Sequence, residues 1–287
     1  MTGTVKGRRI DWGGIVLYLF LTALGVLMLL PLIYMISNAF KPTSELFLFP
    51  PRFFVKNPTL MNFRDLLLIT GTTSVPFSRY IFNSIFVSGC IVVFGVIISA
   101  MAAYPLAKHK MRFGSFIFNM IVLALMFSPL VVQIPQYLLI SKLHLINTYW
   151  ALILPFVAAP TGMFLMTQFL RQLPDALLEA ARMDGASEWR VFWAVVMPML
   201  KPAISTFALL SFIAAWNDPH PAQVYTTDDD MKTLPFAVLT LSGGVGVIAR
   251  VGTLGAASLL MIIPTIVVFV VTQRMVLQTM AHSGLKE

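Results

Sequence analysis

Residues 80–107 read YIFNSIFVSGCIVVFGVIISAMAAYPLA, 28 consecutive positions without an Asp, Glu, Lys or Arg. About 20 apolar residues in a helix cross the hydrocarbon core of a bilayer, so this stretch is long enough to span it. Outward from it lie comparable runs at 13–36, 115–132, 149–169, 200–217 and 253–273. The third run is expected to lose its helical character around Pro129, Gln133 and Pro135. The fifth looks short unless residues 197–201 lengthen it. Two more apolar pieces, 131–140 and 234–241, are too short to cross and are expected to be interfacial or re-entrant. These runs predict an all-α integral membrane protein with about six transmembrane helices, residues 1–287 forming one transmembrane domain.

Composition supports that fold class. Hydrophobic residues make up 58% of the chain and charged residues 11%, where a soluble domain carries roughly 25% charged residues. The first apolar run, preceded by Lys6, Arg8 and Arg9, is too long for the roughly 7–15 apolar residues of a signal peptide, so a retained, uncleaved helix is expected. The net charge of +8 is spread between apolar runs and forms no single basic face. It therefore reads as the positive-inside bias of a membrane protein and not as a nucleic-acid footprint. The single Cys90 lies inside an apolar run and has no internal partner. The four histidines lack metal-ligand spacing, and the chain has no phosphate-binding G-x-x-x-x-G-K-[ST] loop.

If the N-terminus is cytoplasmic, twelve of the Lys and Arg residues fall on the cytoplasmic side and eight on the other. Five of those eight sit in the long segment 38–79, which counts little toward orientation. The short loops then put both termini in the cytoplasm.

One loop stands out from this apolar background. Residues 171–200 carry Arg171, Asp175, Glu179, Arg182, Asp184, Glu188 and Arg190. Each charge would cost about 2.5–3.5 kcal/mol at a bilayer centre, so the loop lies outside it. Pro174 is suited to the first turn of a short helix, and Asp175 and Glu179 favour its positive end. Gly185 is placed to end it in a left-handed turn. Ser187 can cap a second helix over 188–196, before a break at Pro198.

In this loop Glu179-Ala180-Ala181, three further residues, Gly185, nine further residues and then Val195-Val196-Met197-Pro198 resemble the EAA loop of ABC importer permeases. Other segments resemble the sugar branch of that family, in particular permeases similar to the smaller maltose-type subunit. They are Arg79-Tyr80 with Asn83-Ser84, Gln133-Ile134-Pro135, residues 145–148, Trp216-Asn217-Asp218, residues 232–235 and the tail 281–286. The chain departs from that pattern at Pro219-His220-Pro221-Ala222-Gln223, where bulky apolar residues are usual.

The resemblance implies a type I ABC importer permease fold. It also implies that Glu179, Ala180, Ala181, Asp184 and Gly185 couple to an ATPase. Expected partners are a second, homologous permease, two ATPase subunits, an extracellular or periplasmic solute-binding protein and a sugar. ATP and magnesium would be held by the ATPases, and no cofactor by this chain. The loop Ser242, Gly243, Gly244 and Gly246 is expected to contact the binding protein. Gln133, Gln168, Ser211 and Asn217, polar side chains that lipid would tolerate poorly, are pathway-lining candidates. A permease for another small solute, such as glycerol phosphate, remains an alternative. A membrane-embedded enzyme would have to rest on Asp228-Asp229-Asp230, which reads as a solvated acidic run. An ion-coupled transporter would place ionisable residues within spans, and these spans contain almost none.

Overall fold

The computed structural model describes residues 12–68, 75–243 and 250–284. In chain order the helices are α1 (Trp12–Phe40), α2 (Thr43–Leu46), α3 (Met61–Leu68), α4 (Phe77–Lys108), α5 (Gly114–Met126), α6 (Pro129–Lys142), α7 (Tyr149–Val157), α8 (Pro160–Arg171), α9 (Ala176–Met183), α10 (Glu188–Val191), α11 (Met197–Met199), α12 (Lys201–Asn217), α13 (His220–Tyr225), α14 (Leu234–Ser242) and α15 (Val251–Gly284). No strand occurs among the described residues. Four stretches are each long and apolar enough to cross a membrane. They lie in α1, in α4, in α7 with α8 and in α15. The count rises to six if α5 with α6, and the helix 188–199 with α12, are each one bent span.

Two of these bends differ from expectation. The third run loses its helix only at Phe127 and Ser128, where the chain turns by 108°. The new helix then runs through Gln133 and Pro135 without a break. Ser128 starts it, its Oγ accepting from Leu130 N at 3.4 Å, and Pro129 occupies the first turn, where no backbone donor is needed. The second bend, 74°, falls at Leu200 and not at Pro198. Residues Phe192–Val196 form a wider π turn, and the helix continues through Pro198 before it breaks at Leu200.

The chain divides into two compact units, 1–66 with 248–259 and 67–247 with 260–287. In the first, α1 exposes apolar side chains such as Val16, Phe20, Leu27 and Met28, a surface suited to lipid or to another membrane helix. The connection after α1 is polar and tightly bonded. Lys41 is 2% exposed, and its Nζ donates to Asn38 Oδ1 at 2.8 Å and Arg52 O at 2.5 Å. Glu45 accepts from the backbone of Lys56 and Asn57, and Asn62 donates to the carbonyls of Ala39 and Lys41.

In the second unit α4 is the central helix, packed by α7, α8 and α12. One core cluster joins Ala100, Ala103, Met166, Leu170, Phe192 and Phe207. The other joins Val87, Ile91, Leu152, Val157 and Tyr225. The α4–α8 crossing is close because Gly162 has no side chain. A Cβ there would lie 2.5 Å from Ser99 Oγ and 2.7 Å from the Phe207 ring. Helices in lipid gain little hydrophobic attraction from one another, so small residues that permit close packing take on that role.

Candidate functional site

The expected coupling loop folds as a short amphipathic helix with a specified end. α9 begins at Ala176, with Asp175 rather than Pro174 at its boundary. Leu178 is 5% exposed and inserts into the core beneath α4, α8 and α12. Burial of such a side chain is worth about 1.5–3 kcal/mol. Ala181 packs against the same cluster. Glu179, Ala180 and Met183 lie on the free side, and Met183 is 88% exposed. The three residues of the EAA signature thus divide between two faces: Ala181 anchors, whereas Glu179 and Ala180 are presented outward.

The end of α9 is a Schellman turn. Gly185 adopts φ +81°, its N–H donates to Arg182 O at 3.0 Å, and Ala186 N–H donates to Ala181 O at 3.1 Å. A residue with a Cβ is strained in this left-handed conformation. Asp184 and Gly185 are exposed at the corner. Ser187 Oγ then accepts from Arg190 N at 3.4 Å to start α10. The π turn that follows brings Phe192 and Val196 inward together with Val191, leaving Trp189 and Trp193 exposed.

Two polar clamps fix this loop to the end of α4. Lys108 Nζ donates to Leu173 O and to Asp175 Oδ1, both at 2.6 Å. That hydrogen bond, together with the lysine's charge, holds the Asp175 carboxyl below the usual carboxylate range. At the other end of α9, Arg182 Nε donates to Glu188 Oε1 at 2.7 Å, and Tyr104 Oη donates to Glu188 Oε2 at 2.8 Å. His109 Nε2 lies 3.5 Å from the same oxygen. Tyr104, Lys108 and His109 are not among the residues that the sequence alone singles out. A Tyr-x-x-x-Lys-His run closing an apolar stretch is the signal that was present.

At the other end of α4, about 30 Å away by helical rise between Ser84 and Tyr104, the segments that carried the resemblance meet. Asn83 is fully buried. Its Nδ2 donates to Asp230 O at 2.7 Å and Lys232 O at 2.8 Å, and its Oδ1 accepts from Tyr149 Oη at 2.7 Å. Ser84 Oγ accepts from Leu234 N at 2.7 Å. Asn147, at φ 63°, donates to Asp228 Oδ2 and accepts from the backbone of Thr227 and Asp228. Lys232 Nζ is buried on the carbonyls of Ala222 and Thr226 and lies 4.5 Å from the Phe236 ring centroid. These motif residues strap the segment 226–234 to the starts of α4 and α7. No group of His, Cys, Asp or Glu able to hold a metal occurs among the described residues.

The pathway candidates do not converge. Ser211 lines a cleft of about 370 Å³ together with Ile91, Phe156, Thr161, Phe207 and Ala215. Gln133 and Gln168 are half-buried on α6 and α8 and do not line it. Asn217 turns back on its own helix, Nδ2 donating to Ile213 O at 2.9 Å. Of the outer-loop candidates, Ser242 is exposed and bonds to Leu239 O, and Gly243 ends α14 in extended backbone. Gly244 and Gly246 lie outside the described residues.

Residues 95–282 match the family described as the binding-protein-dependent transport system inner membrane component, and the chain belongs to that family. It is a permease subunit of an ABC transporter. The arabinooligosaccharides transport system permease protein AraQ of Halalkalibacterium halodurans is 31% identical over 262 residues, 89% of this chain and 90% of the relative. The sn-glycerol-3-phosphate transport system permease protein UgpE of Yersinia enterocolitica is 32% identical over 204 residues, 71% of this chain and 73% of the relative. Among solved structures, a chain of a bacterial ABC transporter involved in the import of the acidic polysaccharide alginate has the same fold. Its TM-score is 0.79 at 24% identity, covering 96% of this chain and 99% of that one.

Proposed function

We propose that this permease carries a sugar or oligosaccharide across the membrane and takes its driving force from an ATPase docked on α9. The observation that carries the coupling role is the division of the EAA signature: Ala181 and Leu178 fix the helix to the core, while Glu179, Ala180 and the Gly185 corner stay free. A helix held on one face and open on the other moves with the bundle when a partner pushes it. The clamps to Tyr104 and Lys108 link that push to α4, which reaches the far end of the core.

The partners in this reading are a second, homologous permease, two ATPases that hold the ATP and magnesium, and a solute-binding protein on the outer side. The loop Ser242–Gly246 contacts the binding protein, and both termini are cytoplasmic, in line with the Lys and Arg bias of the short loops. The sugar assignment draws on the resemblance to sugar permeases and on the arabinooligosaccharide relative. The glycerol-phosphate relative keeps a second solute class in view.

The test is ATP-dependent uptake into proteoliposomes. The full complex should accumulate labelled neutral oligosaccharide in preference to glycerol 3-phosphate, and omission of the second permease should abolish uptake. Uptake of glycerol 3-phosphate alone would contradict the sugar reading. Transport by this chain and the ATPase without a second permease would contradict the heterodimer.

A further inference from the structure

Beside the cleft around Ser211 lies a second, chemically distinct cavity. This recess of about 20 Å³ shares the wall of Ile91, Phe156 and Ala215 with the cleft and is closed by Asp218, Ala222 and Thr233. That volume admits about one water or one ligand hydroxyl. Thr233 is only 7% exposed, and its Oγ1 has no hydrogen-bond partner among the described residues. Buried hydroxyls are normally satisfied, so an unpaired one facing a recess marks a position for a ligand's polar group. Asp218 Oδ1 accepts from His220 N at 2.9 Å, which fixes the carboxylate and leaves Oδ2 facing no other described donor.

The larger cleft adjoins that recess. Its wall is mostly apolar, with Phe156, Leu210 and the edge of the buried Phe207, and Thr161 and Ser211 are its hydroxyl-bearing residues. No lysine, arginine or histidine lines either cavity among the described residues. The departure at 219–223 contributes directly, because Pro221 and Ala222 line the recess where bulkier residues would fill it.

We infer that this cleft and the recess beside it form a charge-selective subsite for a neutral, hydroxyl-rich solute: Asp218 accepts its hydroxyls, Thr233 completes the contact, and anionic sugars or phosphate esters are excluded. This deepens the translocation reading above and rests on it. The physical basis is asymmetric. A carboxylate accepts hydrogen bonds from a diol, but it repels a second anion in a cleft of low polarity; the cation behind the recess wall, Lys232, has its Nζ committed to the carbonyls of Ala222 and Thr226 and does not line the recess itself.

The experiment measures saturation-transfer NMR on the nanodisc-embedded complex of this chain, its second permease and both ATPases, without the binding protein. The probes are a mixture of neutral pentose and hexose trisaccharides and a matched mixture of uronate trisaccharides. In the wild type, neutral probes should saturate roughly fivefold or more above uronates, and Asp218→Asn should bring the two within about twofold. Thr233→Val, nearly isosteric at a position where the hydroxyl caps nothing, should weaken the neutral signal without admitting uronates. Equal saturation of both mixtures in the wild type, or uronates still excluded after Asp218→Asn, would overturn the charge selection and leave the sugar reading standing. Saturation of neither mixture would overturn both.

Discussion

Gly185 carries more of the proposed mechanism than any other single residue. Its φ of +81° and its N–H bond to Arg182 O close the end of α9. A Cβ at that position would meet no other atom within 4 Å, so a substitution acts through backbone strain and not through a clash. A branched side chain in left-handed backbone costs about 1–2 kcal/mol. That is enough to shift a short helix end but small against the stability of the bundle. Gly185→Leu is therefore expected to insert and assemble while losing most of its uptake, and to lose binding-protein-stimulated ATP hydrolysis with it. Immunoblots of membranes alongside proteoliposome assays check this, and normal transport with normal stimulation would contradict it.

At the scale of the elements, the long apolar runs were readable because lipid removes most alternatives: a charge-free stretch of 28 residues has little option but to be a helix. The helix-terminating role of Gly185 and the capping role of Ser187 were readable for the same kind of local reason. What could not be read were the bends. Pro129, Pro135 and Pro198 all look like breakers in sequence, yet the breaks fall at Phe127–Ser128 and Leu200. Pro129 sits in the first turn of α6, where it costs nothing, whereas Pro135 lies inside α6 and Pro198 inside the helix 188–199 without bending them, so the prolines do not mark the breaks. The π turn at Phe192–Val196 has no local signature. The clamps were hidden for a different reason. Tyr104 and Glu188 are 84 positions apart, and Lys108 and Asp175 are 67 apart, so only the fold brings them together. Of the pathway candidates, polarity alone identified Ser211 in the cleft. It could not tell that Asn217 satisfies itself on its own helix. Asp218 and Thr233, the two groups closing the recess, were quoted only as parts of motifs.

For the whole molecule, coupling through α9 requires the α9 end on the cytoplasmic side and the strapped segment 226–234 outside. A reporter fused after Glu287 should behave as cytoplasmic and one inserted near Thr227 as external; the reverse at either point would break the account. The most direct measurement places the free face of α9 against its partner. Single cysteines at Ala180 and at Ala181, in a chain whose Cys90 is replaced by Ser, can be cross-linked within the complex of both permeases and the ATPases. A180C is expected to form a nucleotide-sensitive cross-link to an ATPase subunit, while A181C, packed against the core, is not. Equal cross-linking at both positions, or none at A180C in a complex active in transport, would contradict the claim that α9 is the element through which ATP drives this permease.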